Sequence, residues 1–159
     1  MKSVIILILQ AAILLFGIVI LGMLIYFPTT EGRAANLDLF SIYTDPFILF
    51  GYCASIFFFV GLYFSFKLLA NIRNNTTFST QSIKALRNIK YCAVILSALI
   101  VLAGIYIKFT HDETDDPAGF LGMCVVTSLG SIVIAIAANM YQKIVQKEVD
   151  LKSTNNPTI

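Results

Sequence analysis

Four stretches of this chain are apolar over the length that a helix needs to cross a bilayer, and they limit what the chain can fold into. They cover residues 4–27, 47–69, 91–109 and 118–140. A hydrocarbon core about 30 Å thick requires about 20 apolar residues in a helix, because lipid offers no hydrogen-bond partners to an open backbone. Of the 159 residues, 58% are hydrophobic and 13% are charged, against about 45–50% hydrophobic in soluble domains. We therefore predict a single all-α domain over residues 1–159, a four-helix transmembrane bundle.

The connections between the spans differ in charge, and the difference predicts how the chain is oriented. The connection over residues 70–90 contains four basic residues and no acid, whereas the other two connections are rich in Asp and Glu. Basic residues in short loops remain on the cytoplasmic side of a membrane. We therefore expect the 70–90 connection, the tail over residues 141–159 and both chain termini to be cytoplasmic.

Both acid-rich connections end in Asp-Pro, a pattern typical of helix starts. Asp45 and Asp116 are predicted N-caps, while Pro46 and Pro117 are predicted to occupy the first helical position, where no N–H is needed. Glycine and cysteine follow both pairs at the same spacing, as Gly51 with Cys53 and Gly122 with Cys124. Two interpretations stay open: a pair of repeated helical hairpins, or a chance likeness between membrane helices that draw on few residue types.

The fourth span carries small and polar residues at intervals of four, which places them on one face of the helix. They are Thr127, Ser131, Ala135 and Asn139. Such a face lets helices approach closely and form hydrogen bonds across the contact. It predicts either packing of this helix within one bundle or a polar pathway or homodimer contact.

The 70–90 connection contains a short amphipathic segment. Ser79 is predicted to cap a helix, and Ile83, Leu86 and Ile89 then recur at helical spacing before the third span. We expect this turn and a half to lie at the membrane interface, with its basic residues near anionic headgroups. The alternative is a docking site for a cytoplasmic protein, formed together with lysines of the tail. The basic residues concerned are Lys84, Arg87, Lys90, Lys143 and Lys147.

Residues that carry chemistry are sparse. No acid or base lies deep within a span, which argues against ion or proton coupling, and a net charge of +2 is too small to indicate nucleic-acid binding. The acidic cluster around His111 fits neither an EF-hand loop nor a structural zinc site by its spacing.

Cys53, Cys92 and Cys124 form no Cys-x-x-Cys pair. A disulfide between Cys53 and Cys124, at similar predicted depth, stays open beside plain burial. We predict no catalytic site, cofactor or metal.

Three segments of the chain resemble a known family. They are Phe78-Ser79 followed by Ser82-Ile83-Lys84-Ala85-Leu86-Arg87-Asn88-Ile89-Lys90-Tyr91-Cys92-Ala93; the turn Asp115-Asp116-Pro117-Ala118-Gly119; and Glu148-Val149-Asp150-Leu151-Lys152-Ser153 with Thr158-Ile159 at the end. These segments resemble the bacterial four-span membrane proteins catalogued as domain of unknown function 2975. The resemblance implies a protein of the bacterial cytoplasmic membrane without known enzymatic activity, often encoded beside a small helix-turn-helix regulator of the Cro type. The chain departs from the family pattern near its end, where Pro157 removes a backbone donor.

Two hypotheses of function, from different classes, follow. The first is a non-enzymatic membrane adaptor or regulator whose basic cytoplasmic surface binds a soluble partner such as a helix-turn-helix regulator. The second is a small oligomeric transporter or channel that uses the polar face of the fourth span. In both cases we expect contact with membrane lipids, including anionic headgroups, and no direct binding of nucleic acid.

The orientation can be tested through two sequons in the 70–90 connection. Asn74 and Asn75 each begin an Asn-x-Thr sequence, which is the acceptor pattern for N-glycosylation. When the chain is translated in the presence of glycosylating microsomes, we expect both residues to stay unmodified, because a cytoplasmic loop never meets the transferase. A mobility shift that is reversed by an endoglycosidase would show that the orientation is inverted.

Overall fold

The computed structural model describes residues 2–30, 39–110 and 117–155, and five α-helices account for nearly all of them. The helices are α1 (Lys2–Thr30), α2 (Leu39–Tyr43), α3 (Pro46–Arg73), α4 (Thr80–Thr110) and α5 (Ala118–Asn155). Four of them, all except α2, are long and apolar enough to cross a membrane. The described ranges contain no strand. The prediction of an all-α fold with four spanning helices is therefore confirmed.

Two of the helices extend by more than ten residues beyond the predicted spans. α4 begins at Thr80, which adds about 16 Å of helix before residue 91, and α5 continues to Asn155, about 22 Å of helix beyond residue 140. Only residues 74–79 of the expected 70–90 loop lie outside helices. The short interfacial helix expected there is not a separate element, since it forms the first turns of α4. The short helix α2 was not predicted.

The helices pack in the order in which they follow one another. α1 packs on α3, α3 on α4 and α4 on α5, while α2 contacts α1 and α3. Tyr43 Oη donates a 2.8 Å hydrogen bond to the Ile25 carbonyl, and Tyr52 Oη donates one of 3.1 Å to the Leu24 carbonyl. Among the described residues, no extensive contact joins α1 to α4 or α5. The bundle is therefore an open row with α1 at one edge and α5 at the other.

Small side chains let α4 approach α5 closely. Ala93, Ser97 and Gly104 of α4 are buried, as are Ser128 and Ala138 of α5. Ser97 Oγ donates to the Ser128 carbonyl at 3.3 Å. A Cβ built on Gly104 would stand 3.5 Å from Cβ of Cys124 on α5, so at this point the two backbones are separated by little more than one side-chain layer. Close packing with hydrogen bonds across the contact is the means by which membrane helices associate.

The two predicted helix starts have different outcomes. Asp45 caps α3, with extended backbone angles and an Oδ1 atom that accepts the Phe47 N–H at 2.7 Å, and Pro46 is the first helical residue. Both predictions for α3 are confirmed. Pro117 stands one residue before α5 instead of at its first position, because its carbonyl accepts the first intrahelical bond, from Leu121 N–H at 2.9 Å. Asp116 lies outside the described residues.

The extensions of α4 and α5 share a small core. Leu86 and Ile89 of α4 and Val145 of α5 are buried in one cluster, against which Phe64 and Val149 pack. Val145 has no exposed surface at all. The apolar stripe of the 70–90 connection is therefore covered by protein and not by lipid, while the position of this segment at the membrane interface stays a prediction. Its spacing has the right period, but α5 continues far enough to cover it.

Truncating this cluster is expected to loosen the extensions. The Leu86→Ala substitution should lower the free energy of unfolding by about 2–5 kcal/mol, because it removes buried methyl groups and leaves a cavity. Leu151→Ala is the matched control, since Leu151 lies in the last turns of α5 and is 52% exposed. It should change the stability by less than about 0.5 kcal/mol. Unfolding in mixed micelles measures both. Equal effects of the two substitutions would contradict the buried cluster.

Candidate functional site at the basic end

One end of the molecule collects most of the basic side chains. We call it the basic end; it comprises the last turn of α3, residues 74–79, the first turns of α4 and the last turns of α5. Within the described residues it also contains buried polar side chains. Asn71 and Ser82 are buried there, 8% and 0% exposed respectively, and Gln10 of α1 is buried nearby.

The turn between α3 and α4 is closed by backbone and hydroxyl hydrogen bonds. Asn75 has a φ of 56°, the left-handed conformation that Asn tolerates better than most residues. Around it, Thr76 N–H donates to the Asn71 carbonyl at 2.9 Å and Asn75 N–H donates to the Ile72 carbonyl at 3.2 Å. This pair of bonds is the Schellman arrangement, which satisfies the last carbonyls of a helix. The direction of the chain is therefore fixed as it leaves α3.

Ser79 and Ser82 join this turn to α4. Ser79 Oγ accepts the Ser82 N–H at 3.3 Å, the bond expected of an N-cap residue, so the prediction for Ser79 is confirmed. Asn71 Nδ2 donates to Ser82 Oγ at 3.2 Å, and Ser82 Oγ donates to the Thr76 carbonyl at 3.3 Å. Ser79 and Ser82, which stand near the start of the first segment that resembles the family, thus hold the α3–α4 connection together.

The end of α5 lies against the same connection. The Lys152 ammonium stands 5.6 Å from the centroid of the Phe78 ring, within the range of a cation–π contact. Val149 packs on the buried cluster one turn earlier. The last turns of α5 therefore contact both the start of α4 and residues 74–79.

The five predicted contact residues share the basic end but not one face. Lys84 and Arg87 are each two residues from a buried residue, Leu86 and Ala85 respectively, which places them about 160° around α4 from the core. Lys143 and Lys147 stand in the same relation to Val145 on α5. All four side chains are exposed. The structure thus distributes these cations around the basic end instead of assembling one flat surface.

Lys90 differs from the other four because its side chain is half-buried. Its ammonium donates to Asn139 Oδ1 of α5 at 3.4 Å and stands 5.1 Å from the centroid of the Tyr91 ring. The bond joins one residue of the predicted basic set to one residue of the predicted polar stripe. Both residues were predicted as contact or packing residues, but nothing in the sequence paired them.

The other members of the polar stripe lie against α4 or bond to their own helix. Ser131 and Ala135 are buried, and Thr127 is exposed. Ser131 Oγ donates to the Thr127 carbonyl at 2.9 Å, and Thr127 Oγ1 donates to the Met123 carbonyl at 2.7 Å. Both hydroxyl protons are therefore used within α5. The burial of Ser131 and Ala135 favours the first interpretation of the stripe, in which α5 packs against α4 within one chain.

Sequence reasoning missed two polar features of the basic end. Gln10 of α1 is 5% exposed; it donates to the Phe66 carbonyl and accepts from Arg73 Nη1, both at 3.4 Å. On α5, Gln142 has a buried Oε1 atom without a hydrogen-bond partner in the described structure. Only Gln10 had a signal in the sequence, since a lone Gln among apolar residues needs a partner. The partner itself depends on the packing.

No reactive constellation is found in the described residues. Cys53, Cys92 and Cys124 are all free thiols, so the disulfide left open between Cys53 and Cys124 is not formed. No group of three or more His, Cys, Asp or Glu side chains is placed to hold a metal within the described ranges. The cluster around His111 lies outside them.

These features define a small all-α membrane protein with four spanning helices. The family described as "Protein of unknown function (DUF2975)" matches residues 28–159, and the chain belongs to that family. The resemblance drawn from the sequence is confirmed. The chain is also 36% identical over 153 residues to a protein of Bacillus subtilis (strain 168) described as "Uncharacterized membrane protein YoaS", and the match covers 95% of each chain. No solved structure matches the chain.

The serine pair gives a direct test of the basic end. The Ser82→Ala substitution should destabilise the protein by about 1–3 kcal/mol, because it leaves the buried Asn71 amide without its acceptor. Ser153→Ala serves as the control, since Ser153 is exposed and its hydroxyl bonds only to the Asp150 carbonyl of its own helix. Hydrogen exchange of residues 74–82 should accelerate in the first variant alone. Unchanged exchange in Ser82→Ala would contradict the hydrogen-bonded turn.

Proposed function

We propose that this chain is a non-enzymatic adaptor or regulator of the bacterial cytoplasmic membrane, and that its basic end binds an acidic soluble protein on the cytoplasmic side. The observation that carries the proposal is the projection formed by α4 and α5. Both helices continue well past their predicted spans, and they pack on each other there around Leu86 and Val145. An ordered element with its own core, placed beyond the hydrocarbon, is suited to meet a molecule in the aqueous phase.

The charge on this projection suggests the chemistry of the partner. Lys84 and Arg87 on α4 and Lys143 and Lys147 on α5 are exposed on the outer sides of the two helices. The acids described on the same projection are Glu148 and Asp150, and Asp150 Oδ1 already accepts from Gln146 Nε2 at 2.9 Å. Exposed charges of one sign steer a partner of the opposite sign and fix its register. A helix-turn-helix regulator is the partner class that the family resemblance suggests, and the charge of the projection calls for an acidic surface on it.

The absence of reactive clusters in the described residues supports a non-enzymatic role. The transporter alternative has less support, because the polar stripe of α5 that was to line a pathway is largely turned toward α4. Ser131 and Ala135 are buried there, and the hydroxyls of Thr127 and Ser131 are bonded within α5. The adaptor hypothesis is therefore the one we carry forward.

Charge reversal on the projection tests the proposal. The protein is co-expressed with a helix-turn-helix regulator of the Cro type, the kind of protein often encoded beside members of this family, and purified from membranes. In the double variant Lys84→Glu and Lys147→Glu, co-purification of the regulator should fall at least tenfold, because each new acid repels an acidic partner. Lys108→Glu is the matched control, since Lys108 is exposed at the other end of α4, and it should leave the yield unchanged.

Membrane insertion of each variant is verified first by its yield in the membrane fraction and by its elution volume after solubilisation. A double variant that inserts normally and retains the regulator at the wild-type ratio would refute the adaptor hypothesis. Loss of the regulator in Lys108→Glu to the same extent would also refute it, because binding would then not reside at the basic end.

A further inference from the structure

Lys90 is the starting point of a second, independent inference. Among the basic side chains whose exposure the structure describes, it alone is half-buried. Its ammonium has Asn139 Oδ1 at 3.4 Å and the Tyr91 ring as partners, and within residues 2–30, 39–110 and 117–155 no acid forms an ion pair with it. A partly desolvated cation with only neutral partners favours an anion close by.

The depth of Lys90 indicates where that anion comes from. Lys90 immediately precedes the third predicted span, and Asn139 is the last residue but one of the fourth, so two independent span boundaries meet at this bond. Tyr91 and Tyr141 stand at the same level, where membrane helices carry interfacial aromatic residues. This is the depth of the phosphate groups of the bilayer.

Two further cations stand at the outer rim of the groove between α4 and α5, turned about 40–60° further from the α4–α5 core than Asn139 and Lys90. Arg87 lies three residues before Lys90 on α4, and Lys143 lies four residues after Asn139 on α5, so each is the next side chain on its helix face toward the aqueous side. Because Lys90 and Asn139 bond across the two helices, both faces border one groove. Neither Arg87 nor Lys143 forms an ion pair with a described acid.

The groove is open on the side toward lipid. α3 contacts α4 at Cys92, whose Cβ lies 3.6 Å from a Cβ built on Gly61. Cys92 is two residues from Lys90 and thus about 160° around the helix from it. On α5, Glu148 is nine residues from Asn139 and therefore on the opposite side of that helix. Neither α3 nor this acid closes the groove.

An apolar surface continues from the groove into the membrane. Val94 and Val101 follow Lys90 on its face of α4, and Ile132 and Ile136 precede Asn139 on its face of α5. All four are more than a third exposed, from 43% at Ile132 to 55% at Ile136. A cationic cleft at phosphate depth followed by an exposed apolar surface matches the two parts of a phospholipid, whereas free phosphate would use only the first part.

We propose that the α4–α5 groove at Lys90 binds the phosphate of an anionic phospholipid, with Arg87 and Lys143 as flanking cations and the acyl chains along Val94 and Ile132. The lipid we expect is one whose head group carries no amine, such as phosphatidylglycerol, because its negative charge is then free to pair with the three cations. The proposal does not rest on the adaptor function, whose test reverses only the charges of Lys84 and Lys147.

The test compares lipids with matched chains and different head groups. Detergent-solubilised protein is titrated with phosphatidylglycerol or phosphatidylcholine of the same acyl composition, and bound lipid is counted by native mass spectrometry. Phosphatidylglycerol should bind at least fivefold more tightly. Lys90→Met should lower its affinity about tenfold, Lys90→Arg should retain it, and Lys147→Met, the matched control about 12 Å further along α5 from Asn139, should change it less than twofold.

A second measurement uses the unaltered protein, so that it holds even where Lys90→Met fails to fold. Photoactivatable phosphatidylglycerol in vesicles should crosslink to α4 between residues 87 and 101 and to α5 between residues 132 and 143, and inorganic phosphate at millimolar concentration should not displace it. Equal binding of the two lipids, equal losses in Lys90→Met and Lys147→Met, displacement by inorganic phosphate, or crosslinks confined to other helices would each overturn the proposal.

Discussion

The contact between α4 and α5 is the interaction on which the rest of the structure depends. Lipid chains are as apolar as leucine side chains, so burial from lipid gives membrane helices little reason to associate. Association here rests on close approach at Ala93, Gly104 and Ala138 and on the bond from Ser97 to the Ser128 carbonyl. The same contact continues past the predicted spans, where Val145 is fully buried; outside the bilayer, burial from water adds its own driving force. One helix pair thus combines two kinds of packing along its length.

The sequence was sufficient for the features that follow from local physics. Span lengths come from the apolar runs, and the caps at Asp45 and Ser79 come from side chains that bond to a backbone N–H a few residues away; both caps are present. The bond between Lys90 and Asn139 was not predictable, because it joins residues 49 apart whose meeting depends on the register of α4 against α5. The same reason applies to Gln10, whose partner Arg73 is 63 residues away.

The error about the amphipathic segment has a different cause. The spacing of Ile83, Leu86 and Ile89 shows that one side of this helix avoids water, but the period alone does not say whether lipid or protein covers that side. The sequence of the tail indicates that protein covers that side, since Val145 and Val149 also lie four residues apart and form a second apolar stripe. Two stripes of this kind at one end of neighbouring antiparallel helices favour protein contact over lipid contact. The sequence analysis ended the fourth span at residue 140 and did not extend its helix into the tail, so the first stripe had no partner.

The length of α5 has a geometric consequence. Headgroups occupy roughly 5–8 Å on each side of the hydrocarbon core, while α5 runs for about 22 Å past residue 140. When this helix stands along the bilayer normal, about its last ten residues rise above the lipid into water. A protein that binds those turns is held by the rigid helix at a fixed height above the membrane and does not contact the bilayer surface.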